Sequence, residues 1–325
     1  MVQPSFTPSD KVLVLGATGF VGSALVAELL KRQIKIRVLA RSQAKVSSLF
    51  SAIRDIEVVE GDVLAGKGLG AALQGIHTAY YLIHSLGGQS LFKNTEFAKQ
   101  DRAAATNFVK AADNSGLKKV IYLGGLGEEG VGLSEHLSSR AEVGKILASG
   151  KAGATILRAA VIIGAGGASF EMLRHLVERL PVMVCPRWIE TRIQPIAVKD
   201  AIGYLVGCLF NAATTGQTFD IGGPEILTYH KMMQEYASAR GLAKRLILVV
   251  PFLTPLLSAY WVDLMTPIPS GIAHPLIEGM KNEVICRDYR IDEYVAIRKT
   301  SFRDAVRAAV SEGKPGPEAE IKRGK

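Results

Sequence analysis

Short runs of consecutive apolar residues recur through the first half of the chain, and the stretches between them carry apolar residues at helical spacing. The runs at 12–16, 36–40, 56–60, 79–83, 120–123 and 155–157 have the length of strands. The intervals at about 20–32, 42–52, 67–74, 93–115 and 134–149 read as helices. Strand then helix, repeated, predicts an α/β protein whose parallel sheet carries helices on both faces. Val12-Leu13-Val14-Leu15 shows no polar alternation, which fits a strand covered on both sides.

After Gly164 the alternation loosens. Gly164-Ala165-Gly166-Gly167 leads into a predicted helix at about 168–180, stopped by Pro181. A strand at 192–196, a helix at 199–210 and a strand at 218–221 that ends in Gly222-Gly223-Pro224 follow. A helix at about 228–240 and a strand at 245–250 come next. The organisation expected is a core over 1–163, the last sheet strands with a small C-terminal substrate lobe over 164–312, and a flexible Gly-, Pro- and charge-rich tail over 313–325.

The strongest chemical signal is Gly16-Ala17-Thr18-Gly19-Phe20-Val21-Gly22, directly after the first strand and at the start of the first helix. Gly16 permits a tight turn. Gly19 lets backbone approach a pyrophosphate. Gly22 lets the helix pack close on the strand. The helix start offers unpaired N–H groups and a positive dipole end. A dinucleotide is therefore the expected ligand, against the simpler reading of a tight strand–helix turn. A 2′-hydroxyl would call for an acidic residue about 20 residues on, at the end of the second strand. That strand ends Ala40-Arg41-Ser42, and no acid occurs between Glu28 and Asp55. Arg41 offers a cation to a 2′-phosphate and Ser42 a hydroxyl, so NADP(H) is expected. Ser42 is equally suited to capping the next helix. Asp62-Val63 follows the third strand, where an adenine would lie. Asp62 suits an adenine amino group or a turn equally well.

Composition narrows the partners. The 325 residues are 48% hydrophobic and 21% charged, a globular balance. The net charge of +9 favours anionic ligands, but no long basic run or basic–aromatic interleaving points to nucleic acid. Cys185, Cys208 and Cys286 lie too far apart for zinc or a disulfide framework, so no metal is expected and a reducing, cytoplasmic setting is. The first ten residues show no signal-peptide pattern.

Taken together, the glycine motif, Arg41-Ser42 and Gly61-Asp62 resemble the atypical short-chain dehydrogenase/reductases. Tyr80-Tyr81-Leu82-Ile83-His84-Ser85, the stretch from Ser134 to Gly144, and Gln194-Pro195-Ile196 resemble the NmrA-like and nucleoside-diphosphate-sugar epimerase-like NAD(P)H-binding branch. The resemblance covers about residues 11–240. It implies a Rossmann doubly wound sheet and a nicotinamide cofactor held by Gly16, Thr18, Gly19, Phe20, Val21, Gly22, Arg41, Ser42, Asp62 and Val63. Leu82, Ile83 and His84 after the fourth strand, and Ala160 and Val161 after the sixth, are expected on the nicotinamide side. Ser85, Arg192 and Gln194 are expected near a substrate.

The resemblance also exposes a departure. Active members carry Tyr-x-x-x-Lys on the helix after the fifth strand, and here that place reads His136-Leu137-Ser138-Ser139-Arg140. The serine that usually follows the fifth strand is absent from Leu123-Gly124-Gly125-Leu126-Gly127. One reading makes His136 a substitute general acid titrating near neutrality, with Arg140 one turn on along the same face. The other leaves both as inert lining. The function expected is an NADPH-dependent reductase of an apolar carbonyl, enone or quinone-like small molecule. A non-catalytic NADP(H)-binding scaffold or redox-sensing regulator is the alternative. The apolar stretch 246–261 suggests core packing, or an apolar patch built on Phe252, Leu256, Tyr260 and Trp261. It leaves peripheral membrane contact open, as the fold leaves a homodimer open.

Overall fold

A computed structural model describes residues 6–7, 9–50, 56–84, 94–127, 132–250 and 265–313. Its strands are β1 (Lys11–Leu15), β2 (Lys35–Ala40), β3 (Ile56–Glu60), β4 (Thr78–Tyr81), β5 (Lys119–Gly125), β6 (Gly153–Ala159), β7 (Ile162–Ile163), β8 (Val182–Pro186), β9 (Arg192–Ile193), β10 (Ile196–Ala197), β11 (Thr218–Ile221), β12 (Leu227–Thr228) and β13 (Leu246–Val250). Its α-helices are α1 (Phe20–Lys31), α2 (Gln43–Phe50), α3 (Leu69–Leu73), α4 (Asn94–Ala112), α5 (Glu135–Ala148), α6 (Ala168–Arg179), α7 (Val198–Phe210), α8 (Tyr229–Ala239), α9 (Ser270–Gly279), α10 (Ile291–Tyr294) and α11 (Phe302–Glu312).

Seven strands form one parallel sheet in the order β11-β6-β5-β4-β1-β2-β3. The chain starts at the centre, runs outward to β3, then crosses back to β4 and runs the other way. That reversal opens a crevice beyond the carboxyl ends of β1 and β4, where ligands of such sheets bind. Val12 and Val14 point to one face, and Leu13 and Leu15 to the other; all four are fully buried. On the first face they meet Leu25 and Leu29 of α1 and Leu205 and Leu209 of α7. On the second they meet Phe108 of α4 and Val143 of α5. The doubly wound fold expected from the alternation is the fold observed.

The return of α7 to the sheet is locked by Lys119. Its Nζ donates to Cys208 O (2.6 Å), Asn211 O (3.0 Å) and Thr214 Oγ1 (2.8 Å). These include carbonyls at the end of α7 that have no partner within the helix. The lobe has a separate core, in which Phe170 and Val177 of α6, Met232 and Tyr236 of α8, Ile272 and Ile277 of α9, and Phe302 and Val306 of α11 pack together. Ser301 caps α11 through Asp304 N (3.1 Å), and Gly313 ends it in the left-handed region.

Two expectations need correction. The strand expected at 192–196 is two strands: β9 pairs antiparallel with β12, and β10 pairs parallel with β7. Gln194 and Pro195 lie between them, and Pro195 has no N–H to continue a ladder. The run from Leu246 is not core at its start. Among the described residues β13 pairs only with β8, and Leu246, Leu248, Val182 and Val184 are about half exposed on one face of that pair. Side chains alternate across a strand, so a two-stranded ribbon on the lobe covers one face and leaves the other in solvent. Phe252, Leu256, Tyr260, Trp261 and the tail from 314 lie outside the described residues. Among the described residues, no helix is long and apolar enough to cross a membrane.

Candidate functional site

The turn after β1 is built for close approach. Gly16 has φ of +85°, which side chains rarely adopt, and a Cβ there would sit 2.5 Å from Leu82 O. Gly19 N donates to Gly16 O (3.0 Å), and Gly19 is the N-cap of α1 with no side-chain cap. The first-turn N–H groups of α1 at Phe20, Val21 and Gly22 therefore face the crevice without intrahelical partners. Gly22 sets how close α1 comes, since a Cβ there would lie 2.0 Å from Gly16 O. A Cβ on Gly19 would meet only Gly16 O, at 3.4 Å, and would otherwise project into open space. That open space beside a helix start is a cradle of phosphate size, so the residues present fit a dinucleotide pyrophosphate. Thr18, half-buried, sits on the same turn. The loop before α6 closes over this turn, with Gly164 and Gly167 bare against the Phe20 ring.

Arg41, Ser42, Asp62 and Val63 lie past the carboxyl ends of β2 and β3, outside the main cavity. Arg41 is exposed and makes no ion pair among the described residues. Ser42 Oγ accepts from Lys45 N (3.4 Å), the capping role at the start of α2. Asp62 Oδ1 accepts from Leu64 N (2.8 Å) and Ala65 N (3.3 Å), the turn role. Asn107 of α4 holds that turn by donating to Val63 O (3.3 Å) and Leu64 O (2.8 Å). Val63 is buried beneath it.

On the other side of the switch point the crevice deepens into a cavity of about 340 Å³. Gly16, Gly19, Phe20, Val21 and Gly22 border it, as do Leu82, His84, His136, Arg140, Ala160 and Val161. The structure thus brings together the glycine turn and the residues at the Tyr-x-x-x-Lys position. Ile83 stands between Leu82 and His84 but does not border the cavity. Ser85 lies outside the described residues.

Local sequence explains how α5 reaches the site. Ser134 caps it, accepting from Leu137 N (3.4 Å), and Ser134 N donates to Asn282 Oδ1 (3.1 Å) from the lobe. His136 and Arg140 are four apart and share a face. The missing serine has a consequence here. Gly125 carries no side chain, and a Cβ there would touch Leu137 at 3.0 Å and the Arg140 stem at 3.4 Å. The glycine makes room for an arginine.

Arg140 is buried, and its Nη1 donates to His84 Nδ1. Tyr122 Oη donates to Arg140 O (3.1 Å), and Ser139 Oγ donates to Asp101 Oδ2 (3.3 Å). Burial lowers the Arg140 pKa, while Tyr122 and Asp101 act against that fall. An arginine begins so high that it stays charged. Burial pushes His84 well below its ordinary value, helped by Arg140 and His136. Burial, then Arg140, pushes His136 down to about 3. The expectation of a His136 that titrates near neutrality is therefore corrected, because a desolvated imidazole beside a fixed cation stays neutral. With Nδ1 accepting from Arg140, His84 must carry its proton on Nε2.

Arg192 and Gln194 are not brought to this cavity. Arg192 pairs with Glu283 (2.7 Å) at the surface. Buried Gln194 donates to Gly223 O (2.8 Å) and accepts from Cys286 N (2.9 Å), which ties the chain after β11 to the lobe. The residues missed in the sequence are Tyr229 of α8, Ile272 and Leu276 of α9, and Val284, which form the lobe's side of the cavity. Nothing in their local spacing marks them; only the packing of the lobe brings them there.

Residues 16–162 match the NAD(P)H-binding family. NADH dehydrogenase (ubiquinone) 1 alpha subcomplex subunit 9 of Arabidopsis thaliana, a mitochondrial protein, is 23% identical over 223 residues, 68% of this chain and 56% of that protein. The chain thus spans about half the length of that curated relative. Two solved structures share the fold over nearly the whole chain. A nucleoside-diphosphate-sugar epimerase from Staphylococcus aureus superposes with a TM-score of 0.71 at 15% identity, covering 91% of this chain and 99% of its own. The Citrobacter triphenylmethane reductase complexed with NADP(H) superposes with a TM-score of 0.70 at 19% identity, covering 92% and 99%.

Proposed function

We propose, from the premise that this chain is an NAD(P)H-binding member of the atypical short-chain dehydrogenase/reductases, that it is an NADPH-dependent reductase of an apolar carbonyl, enone or quinone-like acceptor. One observation carries the reading: the glycine cradle and the His84–His136–Arg140 cluster border the same cavity. When bound, the reduced nicotinamide supplies a hydride. The chain's residues do the rest. The start of α1 binds the pyrophosphate, and the exposed Arg41 takes the 2′-phosphate that distinguishes NADPH. Leu137, Ile272, Leu276 and Val284 give the acceptor apolar walls. Arg140 and the neutral N–H of His136 stabilise negative charge that develops on the acceptor oxygen. The NADP(H) carried by the triphenylmethane reductase, and its aromatic substrate, agree with this choice.

The alternative, a non-catalytic NADP(H)-binding scaffold or redox sensor, draws on the loss of Tyr and Lys from α5 and on the likeness to a respiratory-complex subunit. One experiment separates the two. NADPH and NADH are titrated into the protein, and NADPH oxidation is followed with quinones and enones for wild type, Arg140→Met and His136→Gln. The reductase reading expects turnover that falls about 100-fold or more in Arg140→Met, the scale of removing an oxyanion-stabilising donor. Tight NADPH binding without oxidation across the panel overturns it in favour of the scaffold.

A further inference from the structure

The lobe's side of the cavity is mostly apolar, and two of its bordering side chains carry a hydroxyl, Ser169 at the start of α6 and Tyr229. Tyr229, the first residue of α8, is 7% exposed and borders the cavity. Among the described residues its hydroxyl has no hydrogen-bond partner, and it is not among the polar atoms sealed off from solvent. Four other buried tyrosines of the chain donate to a partner. Tyr80 donates to Leu205 O (3.2 Å), Tyr122 to Arg140 O (3.1 Å) and Tyr236 to Glu178 Oε1 (2.7 Å). Tyr204 donates to Asp292 Oδ1 (2.5 Å). Tyr81 also lacks a hydrogen-bond partner among the described residues, but it packs against Phe108 and Tyr122 and does not border this cavity.

A buried phenol without a partner costs stability, which natural folds seldom retain without a use. The chain fixes this one with care. Thr228 caps α8, accepting from Lys231 N (3.1 Å), which sets the position of the first turn and so of Tyr229. Burial holds the phenol firmly protonated. It is a donor in search of an acceptor. The same cavity is bordered by His136 and Arg140 of α5 and by His84 of the loop after β4. An acceptor molecule lodged between core and lobe has Tyr229 on the lobe side.

We propose that the Tyr229 hydroxyl donates a hydrogen bond to an oxygen of the bound substrate, and that it is the lobe's specificity-determining contact. The site then selects oxygen-bearing flat acceptors over hydrocarbons of the same shape. The proposal rests on the reductase reading of the cavity and adds the lobe's part in it. Discrimination is strong where a site is built to bond a substrate group, because the analogue lacking it leaves the site's own polar group unpaired.

The test uses binding rather than turnover. Protein loaded with NADP+ is titrated with menadione and with 2-methylnaphthalene, which has the same ring body without the two oxygens. Wild type is expected to prefer menadione. In Tyr229→Phe the menadione-to-hydrocarbon affinity ratio falls about 5- to 30-fold, the scale of one buried hydrogen bond. NADP+ affinity and the melting temperature of the ligand-free protein stay at or slightly above wild type, since an unpartnered hydroxyl has been removed. An unchanged ratio in Tyr229→Phe overturns the proposal. So does a wild type without preference, or a melting temperature that falls by several degrees, which would assign the hydroxyl to the fold. If NADP+ fails to bind wild type, the cofactor reading fails by itself, and the same pair of ligands on cofactor-free protein still decides Tyr229.

Discussion

Two glycines six positions or fewer into the same motif are predicted to fail in opposite ways when each becomes alanine. In Gly22→Ala the new methyl would lie 2.0 Å from Gly16 O, 2.8 Å from Gly16 C and 2.9 Å from Ala17 Cα. All three are backbone atoms, and none can rotate aside. α1 must retreat by about 1 Å or more to restore ordinary contact, and such overpacking costs about 1–3 kcal/mol. For a chain of this size that is a fall of roughly 1–5 °C in Tm. In Gly19→Ala the methyl meets only Gly16 O at 3.4 Å, an ordinary contact, and Gly19 has φ of −82°, open to any residue. The fold should lose less than about 1 kcal/mol, the scale of a weaker N-cap. The methyl instead occupies the space where a phosphate must come. Displacing one charge-assisted hydrogen bond costs about 1.5–3 kcal/mol, so the Kd for NADPH should rise about 10- to 100-fold. Thermal melts without ligand and calorimetric titration with NADPH read the two effects separately. If Gly19→Ala binds NADPH as wild type does, no phosphate passes this turn and the cradle is misread.

Three other outcomes follow from the same geometry. Arg41→Ala should weaken NADPH about tenfold or more and leave NADH nearly unchanged, since a single cation on the 2′-phosphate is removed; equal losses for both would reject Arg41 as the discriminator. With His136 held near 3 and His84 well below its ordinary value, the rate should show no inflection near pH 6.5 attributable to them; a 6.5 inflection that vanishes in His136→Gln would contradict the neutral cluster. For stability, the unfolded chain binds the His136 proton between about pH 6.5 and about 3 while the folded chain does not. The stabilising contribution is therefore full above about pH 6.5 and is lost as pH falls toward 3, so denaturant midpoints should drop on acidification and drop less in His136→Gln.

Much of the core was legible because its signals are local. Val12 to Leu15 reads as a strand buried on both faces, and the glycine motif needs only its own strand and helix to make sense. Arg41 and Ser42 could be placed at the end of β2 for the same reason. What local reading missed was decided at a distance. Arg192 and Gln194 look like site residues by chain position, but Glu283 and the backbone of Gly223 and Cys286 claim them. The apolar face of β13 is exposed because, among the described residues, it pairs with β8 alone. His136 could be placed on the right face from its spacing, yet its charge state depends on burial and on Arg140, which spacing does not report. Tyr229 carries no motif at all.

The substitutions on α5 change the kind of chemistry the site can do, beyond its residue names. A tyrosine whose pKa is lowered by a lysine moves a proton in step with hydride transfer. Here Arg140 and His136 share the helical face, and neither changes charge near neutral pH. The bare Gly125 admits the larger guanidinium, and the imidazole of His84 accepts from it, so the cation is fixed in place. Such a site stabilises charge without relaying protons. A simple ketone gains a strongly basic alkoxide when it accepts hydride and needs a proton almost at once. A quinone or enone spreads the same charge over a conjugated system and yields a weakly basic anion that can wait for solvent. A stationary cation with neutral N–H donors suits the second class. On these grounds the proposed reductase should turn over quinones and enones and leave unconjugated ketones of equal size nearly untouched, and comparable kcat/KM for the two classes would show that a proton donor has been overlooked.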